Sequence, residues 1–108
     1  MVRAKYTVED NTHTLVVLGH ANYAEYGKDI VCAGISSLVQ ALIGCIEENY
    51  YKANCISVNP KEGEVIISCD GGEDIASLFQ MVSIGLEQIA DVYPDHIQID
   101  IIGLADWL

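Results

Sequence analysis

Two long stretches of this chain carry apolar residues at helical spacing, and shorter runs around them alternate or cluster at strand spacing. Val31, Ile35, Leu38, Leu42, Cys45 and Ile46 form one apolar stripe, which predicts a first helix over residues 30–49. Ile75, Leu78, Phe79, Val82, Leu86, Ile89 and Tyr93 form the stripe of a second helix. Gly71-Gly72-Glu73-Asp74 opens it, and Pro94 stops it, because the residue before a proline disfavours the helical region. Phe79 and Met81 read as packing residues. Strands are predicted over residues 2–8, 13–19, 55–58, 64–69 and 96–102. In the first, Arg3 and Lys5 face outward. The second has apolar residues on both faces, as expected for an interior strand. The last alternates, with Ile97, Ile99 and Ile101 inward and His96, Gln98 and Asp100 outward. Glu9-Asp10-Asn11-Thr12 has turn chemistry, and Asn59-Pro60-Lys61-Glu62-Gly63 reads as a hairpin loop. The order ββαββαβ predicts an α/β fold of the α+β type. Two amphipathic helices on one face of a mixed sheet give the simplest closure.

The length of 108 residues suits one domain over residues 1–108, without repeat, low-complexity tract or linker. No segment reaches the roughly 18 uninterrupted apolar residues of a bilayer span. Met1-Val2-Arg3-Ala4-Lys5-Tyr6 has no signal-like apolar run before its first charges. The expectation is a cytoplasmic protein with reduced thiols and no membrane partner. Cys32, Cys45, Cys55 and Cys69 form no C-x-x-C pair, which argues against a redox dithiol and a zinc ribbon, so no metal or cofactor is expected. The net charge of −11, from 16 acidic and 5 basic residues, repels phosphate backbones and disfavours direct nucleic-acid binding. It attracts basic partners, although plain solubility explains the same charge.

The candidate chemistry lies between the second strand and the first helix. His20 follows the strand. Asp29 reads as a helix N-cap, and Cys32 then falls in the first turn. Helical side chains tilt toward the N-terminus, so the sulfur faces the positive end of the dipole. That field and a neighbouring imidazole both favour a thiolate, a competent nucleophile. A free cysteine is usually only a small hydrophobe, and a histidine after a strand is more often structural. Cys32 lies about 100° from Val31, at the edge of the apolar stripe, with Ser36 one turn above. Cys45 belongs to the stripe itself and reads as core. His13, beside a turn, and His96, among polar residues, read as surface residues. Asn22 and Asp29 are candidates to orient His20, with a loop role for the first and the cap role for the second favoured.

Gly19-His20-Ala21, Gly27, Asp29-Ile30-Val31-Cys32-Ala33 and Ser36 together resemble the signature of the ribosomal-processing cysteine protease family, Prp. The chain also has that family's length and element order. It departs at Gly34-Ile35, where the family commonly has Ala and Val. The resemblance implies a bacterial endopeptidase with a Cys–His dyad, carried here by Cys32 and His20. It implies removal of a short N-terminal extension, with aromatic residues before the scissile bond, from ribosomal protein twenty-seven of the large subunit. It also implies a homodimer, and the apolar tail Trp107-Leu108 could pack at such an interface or on its own core. In the implied reaction Cys32 attacks the carbonyl carbon, His20 protonates the leaving amine, and N–H groups at the start of the first helix serve as oxyanion donors. The loop over residues 21–28, with Tyr23, Glu25 and Tyr26, is expected to close over an extended substrate or to be an ordinary surface loop. The alternative function is a non-catalytic acidic adaptor for a basic ribosomal protein. Thiol alkylation separates the two: one fast cysteine in a protease, four comparable ones in an adaptor.

Overall fold

The computed structural model describes residues 1–49 and 51–102. Its elements are β1 (Val2–Glu9), β2 (Thr12–Leu18), α1 (Ile30–Glu48), β3 (Ala53–Asn59), β4 (Glu64–Asp70), α2 (Glu73–Val92) and β5 (Ile97–Ile102). They form one five-stranded sheet in the order β3-β4-β2-β1-β5. β1 pairs in parallel with β5, and every other pairing is antiparallel. The expected ββαββαβ order, mixed sheet and single layer of helices are all present. Element ends differ from expectation by one or two residues, the largest change being β3, which starts at Ala53 ahead of a register irregularity before Cys55.

Alternation along the central strands decides which face the helices cover. Val2, Ala4 and Tyr6 of β1 and His13, Leu15 and Val17 of β2 are buried, while Arg3, Lys5 and Leu18 stay exposed. Each buried aliphatic side chain stabilises the fold by about 1.5–3 kcal/mol. From α1 come Val31, Ile35, Val39, Leu42 and Ile46, and from α2 Ile75, Phe79, Val82 and Leu86. The α1 stripe is thus centred on Val39, and Leu38 and Cys45 sit half-buried on its flanks. The helices approach each other closely at two glycines. A methyl on Gly85 would lie 2.9 Å from Leu38 Cδ1, and one on Gly34 would lie 3.3 Å from Ile89 Cδ1. Gly34 therefore makes room for Ile89. Both helices have the length and hydropathy of a membrane span, at 1.8 and 1.2, but each buries one face against the sheet.

His13 is not a surface residue. It is 2% exposed, with Nδ1 2.7 Å from the Tyr6 hydroxyl and its ring stacked in a group with Tyr6 and Phe79. Period-two alternation puts it on the same face as Leu15 and Val17, and the adjoining turn at Asp10 does not lift it out. Burial lowers its pKa from the ordinary histidine value, partly offset by the Gly71 backbone and by Asp70. Burial likewise pushes the Tyr6 hydroxyl up to about 12. The tail Trp107-Leu108 lies outside the described residues.

Candidate active site

The site begins where β2 leaves the sheet. Gly19 has φ +96, and a side chain there would lie 2.5 Å from the Met1 carbonyl oxygen, so the position requires glycine. Its N–H donates to the Gly63 carbonyl at 2.7 Å, fastening the strand exit to the β3–β4 hairpin. His20 is exposed, and Ala21 returns to the core at 1% exposure. The Gly19-His20-Ala21 triplet thus clamps the chain on either side of a presented imidazole. Gly63 completes the clamp. It has φ +61, and a methyl there would meet the Gly19 carbonyl oxygen at 2.6 Å and His20 Nε2 at 2.9 Å. The hairpin loop had no evident link to His20 in the sequence; the turn glycine itself was the signal.

Asn22, at φ +53, reverses the chain. The following residues fold back on the helix start. Asp29 caps α1, with Oδ1 accepting the Cys32 N–H at 2.9 Å. Its Oδ2 accepts the N–H groups of Tyr23 at 3.0 Å and Ala24 at 3.4 Å. Desolvation pushes the Asp29 carboxyl up, but the N–H groups of Cys32, Tyr23, Ala24 and Val31 outweigh it, and its pKa lies below the ordinary value. Asp29 is therefore a cap and a loop anchor, facing backbone donors rather than an imidazole. Its carbonyl also accepts the Ala33 N–H at 3.0 Å. The N–H groups of Cys32 and Ala33 therefore both have acceptors already. The cap expected from the sequence is what occupies them.

Cys32 lies in the first turn of α1, and its side chain is exposed as a free thiol. Cys55 is also exposed, Cys45 is half-buried and Cys69 is buried. Burial raises the Cys69 thiol, with Asp70 and Asp74 adding to the effect. Among the described residues no hydrogen bond joins His20 to Cys32 directly; both are exposed, and the loop between them is pinned to Asp29. Among the same residues no three metal-ligating side chains converge.

The loop divides in two. Residues 21–24 are fixed. Ala21 accepts a hydrogen bond from His96 Nδ1 at 2.9 Å, and the Tyr23 ring meets Tyr93 and His96 edge-on, with centroids 5.2 Å away in each case. His96 is accordingly half-buried against the loop, not an outward surface residue. Among the described residues, 25–28 are held by a surface turn and a Glu25–Lys28 ion pair, and Tyr26 is 105% exposed.

A thiol and an imidazole presented at one strand–loop–helix junction define a candidate thiol hydrolase. Residues 1–98 match the family model described as cysteine protease Prp. The ribosomal processing cysteine protease Prp of Mycoplasma genitalium is 35% identical over 86 residues, covering 80% of this chain and 85% of that protein. The protein of the same name from Staphylococcus aureus is 33% identical over 108 residues, covering 93% and 98%. In structure, an essential ribosomal processing protease Prp from S. aureus, in complex with a covalently linked product peptide, aligns with a TM-score of 0.84 at 24% identity. That alignment covers 94% of this chain and 99% of the other, and carries the fold. The chain is by class a cysteine protease, a hydrolase of peptide bonds. It belongs to the ribosomal-processing cysteine protease family, Prp.

Proposed function

We propose that this protease removes the N-terminal extension of ribosomal protein twenty-seven of the large subunit, with Cys32 as nucleophile and His20 as its base and acid. The observation that carries the reading is the exposed thiol of Cys32 in the first turn of a capped helix, reached from His20 through a loop pinned to that cap. Cys32 attacks the scissile carbonyl and forms a thioester. His20 takes the thiol proton and passes it to the leaving amine, and water then releases the acyl group. The relatives named above are ribosomal processing proteases, which favours a ribosomal protein as substrate. The surplus of acidic residues suits a basic substrate. Tyr26 and the rest of residues 25–28 are free to close on an extended leader, whereas Tyr23 is already engaged. The protein acts as a homodimer in the cytoplasm.

An acidic adaptor would bind the same partner, yet nothing in its task requires a free thiol at a helix start. Incubation with the extended ribosomal protein, followed by mass measurement, separates the readings. A protease yields a product shortened at its N-terminus. An adaptor yields a complex of two unchanged masses, and that result would overturn the proposal.

A further inference from the structure

The α2–β5 corner reaches across the fold to the chain segment that carries His20. Tyr93-Pro94-Asp95-His96 is a tight turn, with the His96 N–H donating to the Tyr93 carbonyl at 2.9 Å and Pro94 at its second position. The His96 carbonyl accepts the Val2 N–H at 2.9 Å, so the residue is locked to β1 as well. Its imidazole points toward the loop. Nδ1 lies 2.9 Å from the Ala21 carbonyl oxygen, 75 residues away in sequence. A carbonyl can only accept, so Nδ1 carries the proton.

Ala21 is the residue immediately after His20, and its side chain is buried. Fixing its carbonyl fixes the Ala21–Asn22 peptide plane, one peptide beyond the imidazole-bearing residue. The same His96 ring supports Tyr23 edge-on, and Tyr23 donates its N–H to Asp29, the cap over Cys32. His96 therefore touches the one segment through which the His20 side and the Cys32 side of the site are linked. Among the described residues no hydrogen bond or ring contact joins it to either proposed reacting group.

We infer that His96 is a positioning residue for peptide-bond cleavage, holding residues 21–23 so that His20 and Cys32 keep a common register. The inference rests on the Cys32–His20 reading above. A small displacement of a reacting group lowers turnover far more than it lowers stability or substrate affinity. His96→Ala should therefore reduce kcat about ten- to a hundredfold with KM within about twofold of wild type.

The test compares wild type, His96→Ala, His96→Asn and His96→Phe on the extended ribosomal protein, with melting temperature and amide exchange measured on each. Asn can place an N–H where Nδ1 stands, so His96→Asn should recover most of kcat. Phe keeps an edge against Tyr23 but has no donor, so His96→Phe should stay near the alanine variant. The amides of Tyr23 and Ala24 should exchange faster in the Ala and Phe variants than in wild type or His96→Asn. The pH profile of His96→Asn should keep its shape, because the amide supplies the same kind of N–H donor to the Ala21 carbonyl. Wild-type kcat in His96→Ala overturns the inference. So does a loss confined to KM, or a loss that follows melting temperature with Asn no better than Ala. If wild-type protein cleaves nothing, the reading of the site fails instead, and unchanged exchange at Tyr23 and Ala24 in His96→Ala would separately refute the tether.

Discussion

Gly63→Ala isolates how strongly the hairpin determines the position of His20. Two costs arise. At φ +61 an L-residue is in the left-handed region, which costs roughly 1–2 kcal/mol. The smaller entropy of an alanine in the unfolded chain returns about 0.4–1 kcal/mol. The conformational cost alone is thus near 1 kcal/mol, a fall in melting temperature of about 4–8 °C for a domain this small. The second cost is steric. The new methyl would lie 2.6 Å from the Gly19 carbonyl oxygen, a backbone atom that cannot rotate away, and 2.9 Å from His20 Nε2. Strand exit and imidazole must therefore move by about half an ångström or more, enough to cost up to roughly a hundredfold in turnover. Gly44→Ala is the control, with no positive φ and nothing within 4 Å of the added methyl. Melting curves and kcat should separate the two. Gly63→Ala loses a few degrees and loses turnover out of proportion to stability, whereas Gly44→Ala keeps both. Wild-type kcat in Gly63→Ala would refute the claim that the hairpin sets His20.

Brief iodoacetamide treatment near neutral pH, followed by peptide mass mapping, should label Cys32 first; Cys55, also exposed, is the informative competitor because it lacks a helix end. Asp29→Ala should cost about 0.5–2 kcal/mol through the lost cap, and exchange at Tyr23 and Ala24 should accelerate because their shared acceptor is gone. His13 is lowered in the fold, so the unfolded chain binds its proton first. Its contribution is fully present above the ordinary histidine value of about 6.5 and is lost as pH falls below it, with a slope of up to about 1.4 kcal/mol per pH unit. Urea midpoints between pH 5 and 7 should show that slope in wild type and lose it in His13→Gln. The lowered carboxyls of Asp29, Asp70 and Asp74 act in a separate, more acidic window.

The parts legible in the sequence were those with local periodicity. The 3.6-residue stripes of α1 and α2, the alternation in β5 and the Asp29 cap all came from neighbours within a few residues. His13 was misread because the turn beside it outweighed its alternation with Leu15 and Val17. His96 followed the outward parity of β5, but the turn at Pro94 brings it to Ala21, a contact 75 residues long that no local pattern carries. Gly63 belongs with it. Its turn conformation was readable, whereas its approach to His20 depends on β4 pairing with β2. At the helix start, Asp29 accepts the Cys32 N–H through its carboxylate and the Ala33 N–H through its carbonyl.

Cleavage of the extended ribosomal protein by wild type, Cys32→Ala and His20→Ala under single-turnover conditions, with each variant first checked for native melting, tests the central assignment most directly. Both substitutions should reduce the cleavage rate by roughly a thousandfold or more, since members of a nucleophile–base pair act as one unit. A folded Cys32→Ala protein that still cleaves at the wild-type rate would contradict the account.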